Sequence, residues 1–545
     1  MKQNVVKRVL ALGSALCLAL GAGAGMADGA ANFNETGMPI VNERVVQTMT
    51  FSSDPVYTVD LNQDMYFFKE MEKRTNVNFE FEKLSPDQWN ERKNLMFAAN
   101  ELPDVLIGSL SNSDIITYSR ANQLVPLNDL VDKYMPDYKA TLERFPESAK
   151  LYSPDGQMYG IVNTITGGSA ETPGARAFIN KAWLDKLGIA MPTTYDELYA
   201  ALVAIRDGDP NGNGEADEIP LGGYQSMSGS SLGGYTIDCF VAGPLGISFG
   251  NAKDMWQVVD DKLVFVAEHP QYKQYLANMN QLYTEGLLDN EYYTQNDAQM
   301  KAKGEAMRIG AYTYAAHFVL TGSTDPAVYD QYVVPEPLTS DVFTEKVWYG
   351  QNVGGTTIFF TSANENPEIS ARYFNEIYNE EGSTLLVGPV AGEWDGEGGR
   401  VWNDDMTRFT YEIPDGYNGV WDWICKQIAP VQSFQGIMQF SDIKAKEIKT
   451  PEDASFKDAM EANVAPYLRP GTPTLFFTQE ESEEIRLIEA SLYTYFVQME
   501  AKMVMGEEPL ESCDAMISEL YSQGLETVAQ IYNTAYERYK ANAAA

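Results

Sequence analysis

The sequence predicts an α/β protein built from two domains or two large lobes. The chain has 545 residues, which is too long for one ordinary hydrophobic core. Between Pro55 and Lys150, strand-like segments such as VNFEFEKL and PDVLIGSL alternate with helical ones such as LNDLVDKYM. Apolar residues make up 44% and charged residues 21% of the chain, a composition typical of a folded soluble protein.

Residues 1–27 have the pattern of a secretory signal peptide. A positively charged start, MKQNVVKR, precedes an apolar run that is too short to span a bilayer, and small residues near Ala24 and Ala27 offer cleavage sites. Cys17 lies in the apolar run, but Leu16 precedes it where lipoprotein signals carry a small residue, which argues against a lipid anchor. We therefore expect an exported protein, either periplasmic or at the cell surface.

Charge and cysteine content exclude several classes of function. The chain carries 77 acidic and 39 basic residues, for a net charge of −38, so nucleic acid and anionic lipid surfaces repel it. This favours a neutral or cationic ligand. Beyond the leader, Cys239, Cys425 and Cys513 are odd in number and widely spaced, which predicts neither a disulfide framework nor a zinc site. At most one bridge can form.

The second half of the chain continues the α/β pattern and ends in helices. RAFIN (residues 176–180) is strand-like, and Thr194 with Glu197 forms a capping box before an amphipathic helix. Thr478 with Glu481 repeats this device, and the region that follows is predicted to be wholly helical.

The stretch DGDPNGNGEADEIP, which begins at Asp207, is rich in oxygen-bearing side chains separated by residues that allow turns. Oxygen ligands alternating in this way can point toward one hard cation. Two registers of an EF-hand-type loop fit. The first uses Asp207, Asp209, Asn211, Gly212 and Glu218; the second uses Asp209, Asn211, Asn213, Gly214 and Asp217, with Glu218 supplying the remaining carboxylate.

The segments on either side of this loop determine what kind of site it forms. A capped helix precedes the loop, but the strand-like IPLGGY follows it, so a paired EF-hand sensor is excluded. The sequence predicts a structural calcium clip between a helix and a strand. The alternative is an Asn/Asp/Gly turn without metal.

Several segments in consecutive order resemble the family 1 extracellular solute-binding proteins of ABC importers, especially the long lipoprotein-type and alginate-binding members. These segments include ELPDVLIG, QLVPLNDLVDKYMPD, SPDGQMYGI, INKAWLDKLGIAMPTTYDELYAAL, DPNGNGEADEIPL, LYTEGLLDNEYYTQ and IEASLYTYFVQMEAKMVMGEEPLE. The resemblance extends over nearly the whole mature chain. The lipid-anchor cysteine that many relatives carry is missing from the leader.

This resemblance implies a two-lobed, periplasmic-binding-protein-like fold of type 2, in which the chain crosses between lobes more than once. The first lobe is then expected to hold residues 32–162 plus 350–399, and the second residues 163–349 plus 400–545. In relatives the DPNGNG-type loop holds calcium, which favours the second register: Asp209, Asn211, Asn213, the carbonyl of Glu215, Asp217 and Glu218. A ligand that contacts both lobes favours their closed state, which a permease pair then recognises.

A carbohydrate ligand requires flat aromatic rings and polar side chains that bind hydroxyl groups. Candidates are aromatic residues near glycines or lobe crossings and polar residues beside the crossings: Tyr224, Tyr312, Trp348, Trp394, Trp423, Asn163 and Ser109. Core packing is the alternative explanation for each single aromatic residue.

Two other classes of function compete with this interpretation. A secreted polysaccharide-degrading enzyme would also be acidic and aromatic-rich, but the chain has only two histidines and lacks HExxH, GxSxG and Walker motifs. We therefore predict a non-enzymatic protein. A glycan receptor without transport activity is the other class, and the sequence does not separate it from an importer subunit.

Overall fold

The computed structural model describes residues 32–52, 65–144, 146–162, 176–228, 231–233, 235–249, 254–323, 325–350, 355–417, 420–430 and 446–544. These residues form an α/β protein of two lobes, each with its own sheet and hydrophobic core. The predicted signal peptide and Cys17 lie outside the described residues.

The first lobe is built on a five-stranded sheet. In spatial order its strands are Val77–Leu84, Val45–Ser52, Val105–Ile107, Thr356–Phe360 and Gly160–Val162. The first three are parallel to one another, and Thr356–Phe360 is antiparallel to both of its neighbours. Its helices are Tyr66–Thr75, Pro86–Ala99, Asn112–Arg120, Asn128–Tyr134, Pro136–Glu143, Pro367–Asn375, Glu380–Leu386 and Val420–Trp423.

The second lobe is built on a four-stranded sheet. Its strands, in spatial order, are Tyr332–Val333, Arg176–Asn180, Ile309–Tyr314 and Ile219–Gly222. The last two are parallel, and Arg176–Asn180 runs antiparallel to Ile309–Tyr314. Its helices are Lys181–Leu187, Tyr195–Asp207, Asp238–Val241, Tyr272–Thr284, Asp297–Glu305, His317–Thr321, Pro326–Tyr329 and Pro451–Asn463.

Smaller strand pairs complete the two lobes. They are Ser226–Ser228 with Ser231–Gly233, Trp256–Val259 with Lys262–Phe265, Trp348–Gly350 with Leu468–Pro470, and Gly399–Trp402 with Phe409–Glu412. The pair Trp348–Gly350 and Leu468–Pro470 lies where the chain passes between the lobes.

The C-terminal region is helical, as the sequence predicts, with helices Gln479–Met505, Cys513–Ser522 and Leu525–Ala544. Thr478 and Glu481 form the predicted reciprocal capping box. At the other predicted cap Thr194 does accept from the Glu197 amide, but the Glu197 carboxylate turns to the backbone and hydroxyl of Thr193 instead. The C-terminal helices pack mainly on the second core, where Leu492, Phe496 and Met516 are buried.

The division of the chain between the lobes differs from the prediction at one point. Residues 400–545 were expected in the second lobe, but Phe409 and Trp423 are fully buried in the first core. The Ile448 amide still donates to the carbonyl of Phe409, whereas helix Pro451–Asn463 packs on the second core. The chain therefore crosses after Ile448, because the apolar side chains of the hairpin and of the helix after it complete the first core.

Cys239, Cys425 and Cys513 are buried as free thiols. Within the described ranges, no helix is both long enough and apolar enough to cross a membrane.

Candidate functional site

Two sheet edges border the space between the lobes. Strands Val105–Ile107 and Gly160–Val162 end at the same edge of the first sheet, and the next described residue, Arg176, begins a strand of the second sheet. Arg176 pairs with Tyr314, so the carboxyl ends of strands Ile309–Tyr314 and Ile219–Gly222 lie at this second edge. In open α/β sheets, ligands bind outside the carboxyl ends of strands.

Three tyrosines cluster at this edge of the second lobe. The rings of Tyr235 and Tyr314 lie 4.3 Å apart between centroids, and those of Tyr224 and Tyr235 lie 5.9 Å apart. Tyr224 and Tyr235 are half-buried, which leaves part of each ring accessible. Partly exposed aromatic rings beside a cleft can stack on the C–H faces of sugars.

Asp297 joins this cluster through the tyrosine hydroxyls. The Tyr314 hydroxyl donates to Asp297 Oδ1 at 2.7 Å, and the Tyr224 hydroxyl approaches the same oxygen at 3.4 Å. Asp297 is exposed, and no described residue donates to its Oδ2. This oxygen is therefore available to accept a hydrogen bond from a ligand hydroxyl.

The two phenols stay protonated at ordinary pH. Burial, followed by the charge of Asp297, raises the pKa of Tyr224 to about 12. Burial and the hydrogen bond to Asp297 also raise the pKa of Tyr314. Both hydroxyls therefore act as hydrogen-bond donors and hold the carboxylate in place.

An ion pair between Lys303 and Asp289 helps to hold Asp297 and Tyr224 in place. Lys303 Nζ lies 2.7 Å from Asp289 Oδ2 and donates to Gln295 Oε1 at 2.7 Å. Gln295 Nε2 in turn donates to the carbonyl of Gly223 at 2.7 Å. The contacts tie the helix that begins with Asp297 to the backbone just before Tyr224.

The structure places three of the predicted aromatic residues in hydrophobic cores. Tyr312 and Trp423 have no exposed surface, and Trp348 is 6% exposed and packs edge-on against Phe249. Tyr312 and Tyr314 lie on the same face of one strand, because side chains two residues apart point the same way, but Tyr314 is at the carboxyl end of the strand. At these three positions the aromatic side chain packs in a core, which is the alternative explanation given for each of them.

In the first lobe, Ser109 and Trp394 are accessible. Ser109 is exposed just beyond strand Val105–Ile107, and its carbonyl accepts a hydrogen bond from Trp89 Nε1 at 2.8 Å. Trp394 is half-buried against Tyr66, with ring centroids 5.5 Å apart. Asn163 lies outside the described residues. The ligand-binding roles of all the predicted residues remain predictions.

Sequence reasoning missed Tyr235, Asp297 and the ion pair around Lys303. Tyr235 directly follows two glycines, the same signal that selected other aromatic residues. Asp297 is the first residue of a helix capped by Asn296. An Asn-Asp pair is common at helix N-termini, so the sequence gives no sign of another role for Asp297. Only the three-dimensional contact with Tyr314 distinguishes it.

The loop at residues 207–218 adopts a compact turn that gathers the side chains of the second register. The Asp209 carboxylate accepts hydrogen bonds from the amides of Gly212, Asn213 and Gly214. Gly212 and Gly214 both have a φ of +79°, which glycine adopts without strain. Asp207, the first ligand of the alternative register, instead pairs with Arg206 and is largely exposed.

Asn211, Asn213 and Asp217 converge in this loop. Both amide groups lie within hydrogen-bond distance of Asp217 Oδ1, at 2.9 and 3.1 Å. The hydrogen bonds from these amides, with those from Arg308, lower the pKa of Asp217 and keep it ionised. Turning either amide would present its oxygen, a ligand that Ca²⁺ accepts, to the same centre.

Glu218 provides a second indication that the residues fit a cation. Its Oε1 is buried and has no hydrogen-bond partner among the described residues. A buried carboxylate oxygen without a partner is costly, and a bound cation would satisfy it. In the described part of the chain, no three Asp, Glu, His or Cys side chains lie close enough to hold a metal, so amide and carbonyl oxygens would have to contribute.

A cavity of about 310 Å³ lies at the junction of the first lobe, the crossing strands and the C-terminal helices. Its walls include Lys150 from the first lobe and Tyr349, Gly471 and Tyr536 from the rest of the chain. Beside it, Asp254 accepts a hydrogen bond from the Ser248 hydroxyl at 2.9 Å. Movement of one lobe against the other would change this junction.

Comparison with known proteins agrees with the two-lobed architecture. A family model described as bacterial extracellular solute-binding protein matches residues 58–383. The chain is 28% identical over 520 residues to the fructooligosaccharide ABC transporter substrate-binding protein FusA of Streptococcus pneumoniae, with 92% of each chain covered.

Solved structures of solute-binding proteins are similar to this chain. FusA in complex with kestose superimposes with a TM-score of 0.69 at 27% identity, covering 91% of this chain and all of that one. A FusA EF-hand mutant in complex with fructo-nystose has a TM-score of 0.68 at 26% identity, with 91% and 100% of the two chains covered. The alginate-binding protein AlgQ2 without calcium ion shares the fold, with a TM-score of 0.62 at 21% identity, over 91% of this chain and 99% of that one.

Proposed function

Because the chain belongs to the family of bacterial extracellular solute-binding proteins, we propose that it is the exported binding subunit of an ABC importer and captures an oligosaccharide between its lobes. The observation that carries the carbohydrate assignment is the tyrosine cluster with Asp297 at the carboxyl ends of the second-lobe strands. Its rings offer stacking surfaces, and Asp297 Oδ2 offers an acceptor for a hydroxyl group.

The mechanism requires only binding and closure. A saccharide that contacts this cluster and the first-lobe edge at the same time favours the closed arrangement of the lobes. A permease pair then receives the ligand from the closed form. On this proposal the protein binds the sugar and releases it unchanged, without cleaving it.

We further propose a structural Ca²⁺ ion in the loop at residues 207–218. Its ligands are Asp209, Asn211, Asn213, the carbonyl of Glu215, Asp217 and Glu218. The partnerless oxygen of Glu218 and the convergence of Asn211 and Asn213 on Asp217 support this proposal. The ion would stabilise the junction between helix Tyr195–Asp207 and strand Ile219–Gly222, away from the saccharide.

The function is tested with a thermal-shift screen of the mature protein, freed of bound ligand, against neutral and acidic oligosaccharides that include kestose. A ligand at a hundred times its dissociation constant stabilises the fold by about 2.7 kcal/mol, which is readily measured. The sugar should be recovered intact. Cleaved sugar would contradict a binding protein, and the absence of any shift would contradict the carbohydrate assignment.

Asp297→Asn tests the site itself. The variant keeps the shape and the tyrosine hydrogen bonds but removes the charged acceptor, so we expect saccharide affinity to fall about tenfold. Asp196→Asn is the matched control, because Asp196 is also an exposed acid in the first turn of a second-lobe helix. Equal affinities for the two variants would place the ligand elsewhere.

A further inference from the structure

Arg400 is a buried cation in the first lobe that forms no ion pair with a described residue. It lies on strand Gly399–Trp402 and is 5% exposed. Its Nε donates to the carbonyl of Gly388 at 2.8 Å, and its guanidinium lies over the rings of Trp402 and Phe409, 5.7 and 5.4 Å from their centroids. The ring faces attract the cation but leave its terminal nitrogens without acceptors.

The terminal nitrogens of Arg400 donate no hydrogen bond to any described residue, and neither is sealed from solvent. The small exposed part of this side chain therefore includes the two Nη atoms, which present a planar pair of donors. Burial lowers the pKa of Arg400, although the group remains charged at ordinary pH.

An unpaired buried arginine is unexpected in this chain. Burying a charge without a partner is energetically unfavourable, and the chain offers 77 acidic residues that could have paired with it. The nearby Glu393 acts on Arg400 electrostatically but is exposed and forms no ion pair with it. Such a cost is expected where the donors serve a ligand.

Aromatic side chains surround this position. Tyr66, Trp394 and Trp402 are all half-buried, so each keeps part of its ring accessible. Tyr66 packs edge-on against Trp394, and the Trp394 Nε1 donates to the carbonyl of Gly398 at 2.8 Å, which fixes its ring. A fixed aromatic ring beside a donor pair is a common arrangement in saccharide pockets.

The position also lies toward the space between the lobes. Helix Tyr66–Thr75 runs back from the carboxyl end of strand Val45–Ser52 to the start of strand Val77–Leu84. Its first residue, Tyr66, therefore lies toward the edge at which strands Val105–Ile107 and Gly160–Val162 end. The group around Arg400 and the tyrosine cluster with Asp297 belong to opposite lobes that share this cleft.

We infer that Arg400 is a ligand-binding residue of the first lobe, whose two Nη atoms donate to a pair of adjacent oxygens on a saccharide while Trp394 packs on the sugar ring. This inference rests on the proposed function. The adjacent oxygens belong either to vicinal hydroxyls of a neutral sugar or to the carboxylate of a uronic acid, and both present the same planar acceptor pair.

Titration calorimetry with kestose, nystose and trigalacturonate tests this assignment on the mature protein. Arg400→Met should weaken the probe that the wild type binds most tightly by about 30-fold. Loss with kestose or nystose identifies vicinal hydroxyls, and loss with trigalacturonate identifies a carboxylate. The matched control is Arg408→Met, an exposed arginine of the same hairpin, which should bind within about twofold of the wild type.

Arg400→Lys keeps the charge and the ring contacts but loses the planar pair of donors. It should therefore keep the wild-type melting temperature and still bind about tenfold more weakly, a result that a purely structural role does not produce. Wild-type affinity in a folded Arg400→Met variant would overturn the inference and leave the proposed function intact. Failure of the wild type to bind any of the three probes would overturn both.

Discussion

Replacing Lys303 by methionine removes one side of a buried ion pair while keeping most of the side-chain volume. The Lys303 side chain is 14% exposed, and its partner Asp289 is 5% exposed. Breaking a buried pair by removing one partner costs about 3–5 kcal/mol, because the remaining charge is left uncompensated. Since Lys303 keeps some contact with solvent, we expect a loss near the lower end, about 3 kcal/mol of unfolding free energy.

The second contact of Lys303, with Glu291, contributes little to this loss. The Glu291 side chain is 55% exposed, and exposed pairs contribute about 0–1 kcal/mol. The variant should also bind saccharide more weakly, because Gln295 would hold the backbone before Tyr224 less firmly. Urea unfolding followed by tryptophan fluorescence measures the first effect, and titration calorimetry measures the second.

Lys301→Met is the matched control, since it removes the same charge two residues earlier in the same helix, and its stability should change by less than about 0.5 kcal/mol. In a double-mutant cycle with Asp289→Asn, the two changes should couple by at least about 1 kcal/mol. Equal stabilities of Lys303→Met and Lys301→Met, or additive effects in the cycle, would refute the reasoning.

Two further predictions concern the metal loop and the pH dependence of stability. Chelation of calcium should lower the melting temperature of the wild type but not that of Glu218→Gln. Glu215→Gln should still lose stability on chelation, because only the backbone carbonyl of Glu215 is a proposed ligand. An unchanged melting temperature of the wild type would contradict the calcium site. Burial raises the pKa of Asp254 to about 6, above the value of about 3.9 in an unfolded chain. The ionised carboxylate therefore destabilises the fold above pH 6. This destabilisation is relieved as the pH falls toward about 4. Asp254→Asn should therefore be more stable than the wild type by about 2 kcal/mol near pH 8, with the difference vanishing near pH 4, and Asp260→Asn, an exposed neighbour, should show no such trend in urea unfolding. A pH-independent difference would show that Asp254 titrates normally.

The sequence predicted secondary structure well where neighbouring residues determine it. The strands Val77–Leu84 and Arg176–Asn180 follow from alternating or continuous apolar residues, and the box of Thr478 and Glu481 fixes where the long C-terminal helix begins. The loop at residues 207–218 is also local, because its proposed ligands lie within one short stretch. Two registers fitted this stretch, the family resemblance favoured the second, and the calcium site remains a prediction.

The accessible aromatic and charged residues that are proposed to bind ligand were harder to predict, because burial depends on packing across the whole chain. Tyr312 and Tyr314 are two residues apart on one face of a strand, yet Tyr312 is enclosed in the core while the hydroxyl of Tyr314 reaches Asp297. Trp423 has the same local composition as a binding-site tryptophan but fills the first core. Arg400 and Asp297 carry no motif at all, and each has a neighbour from a distant segment, Tyr66 near Arg400 and Tyr224 near Asp297.

The sequence by itself determined the α/β class, the exported character expected from the leader, the family resemblance and the metal-type loop, because each depends on composition or on residues close in the chain. Only the tertiary structure decided that the hairpin Gly399–Glu412 and helix Val420–Trp423 complete the first lobe, which aromatic residues keep an accessible face, and that Lys303 supports the tyrosine cluster. The physical reason is that burial and charge pairing are properties of contacts between segments far apart in sequence. Those contacts form only when the lobe that contains both segments has folded.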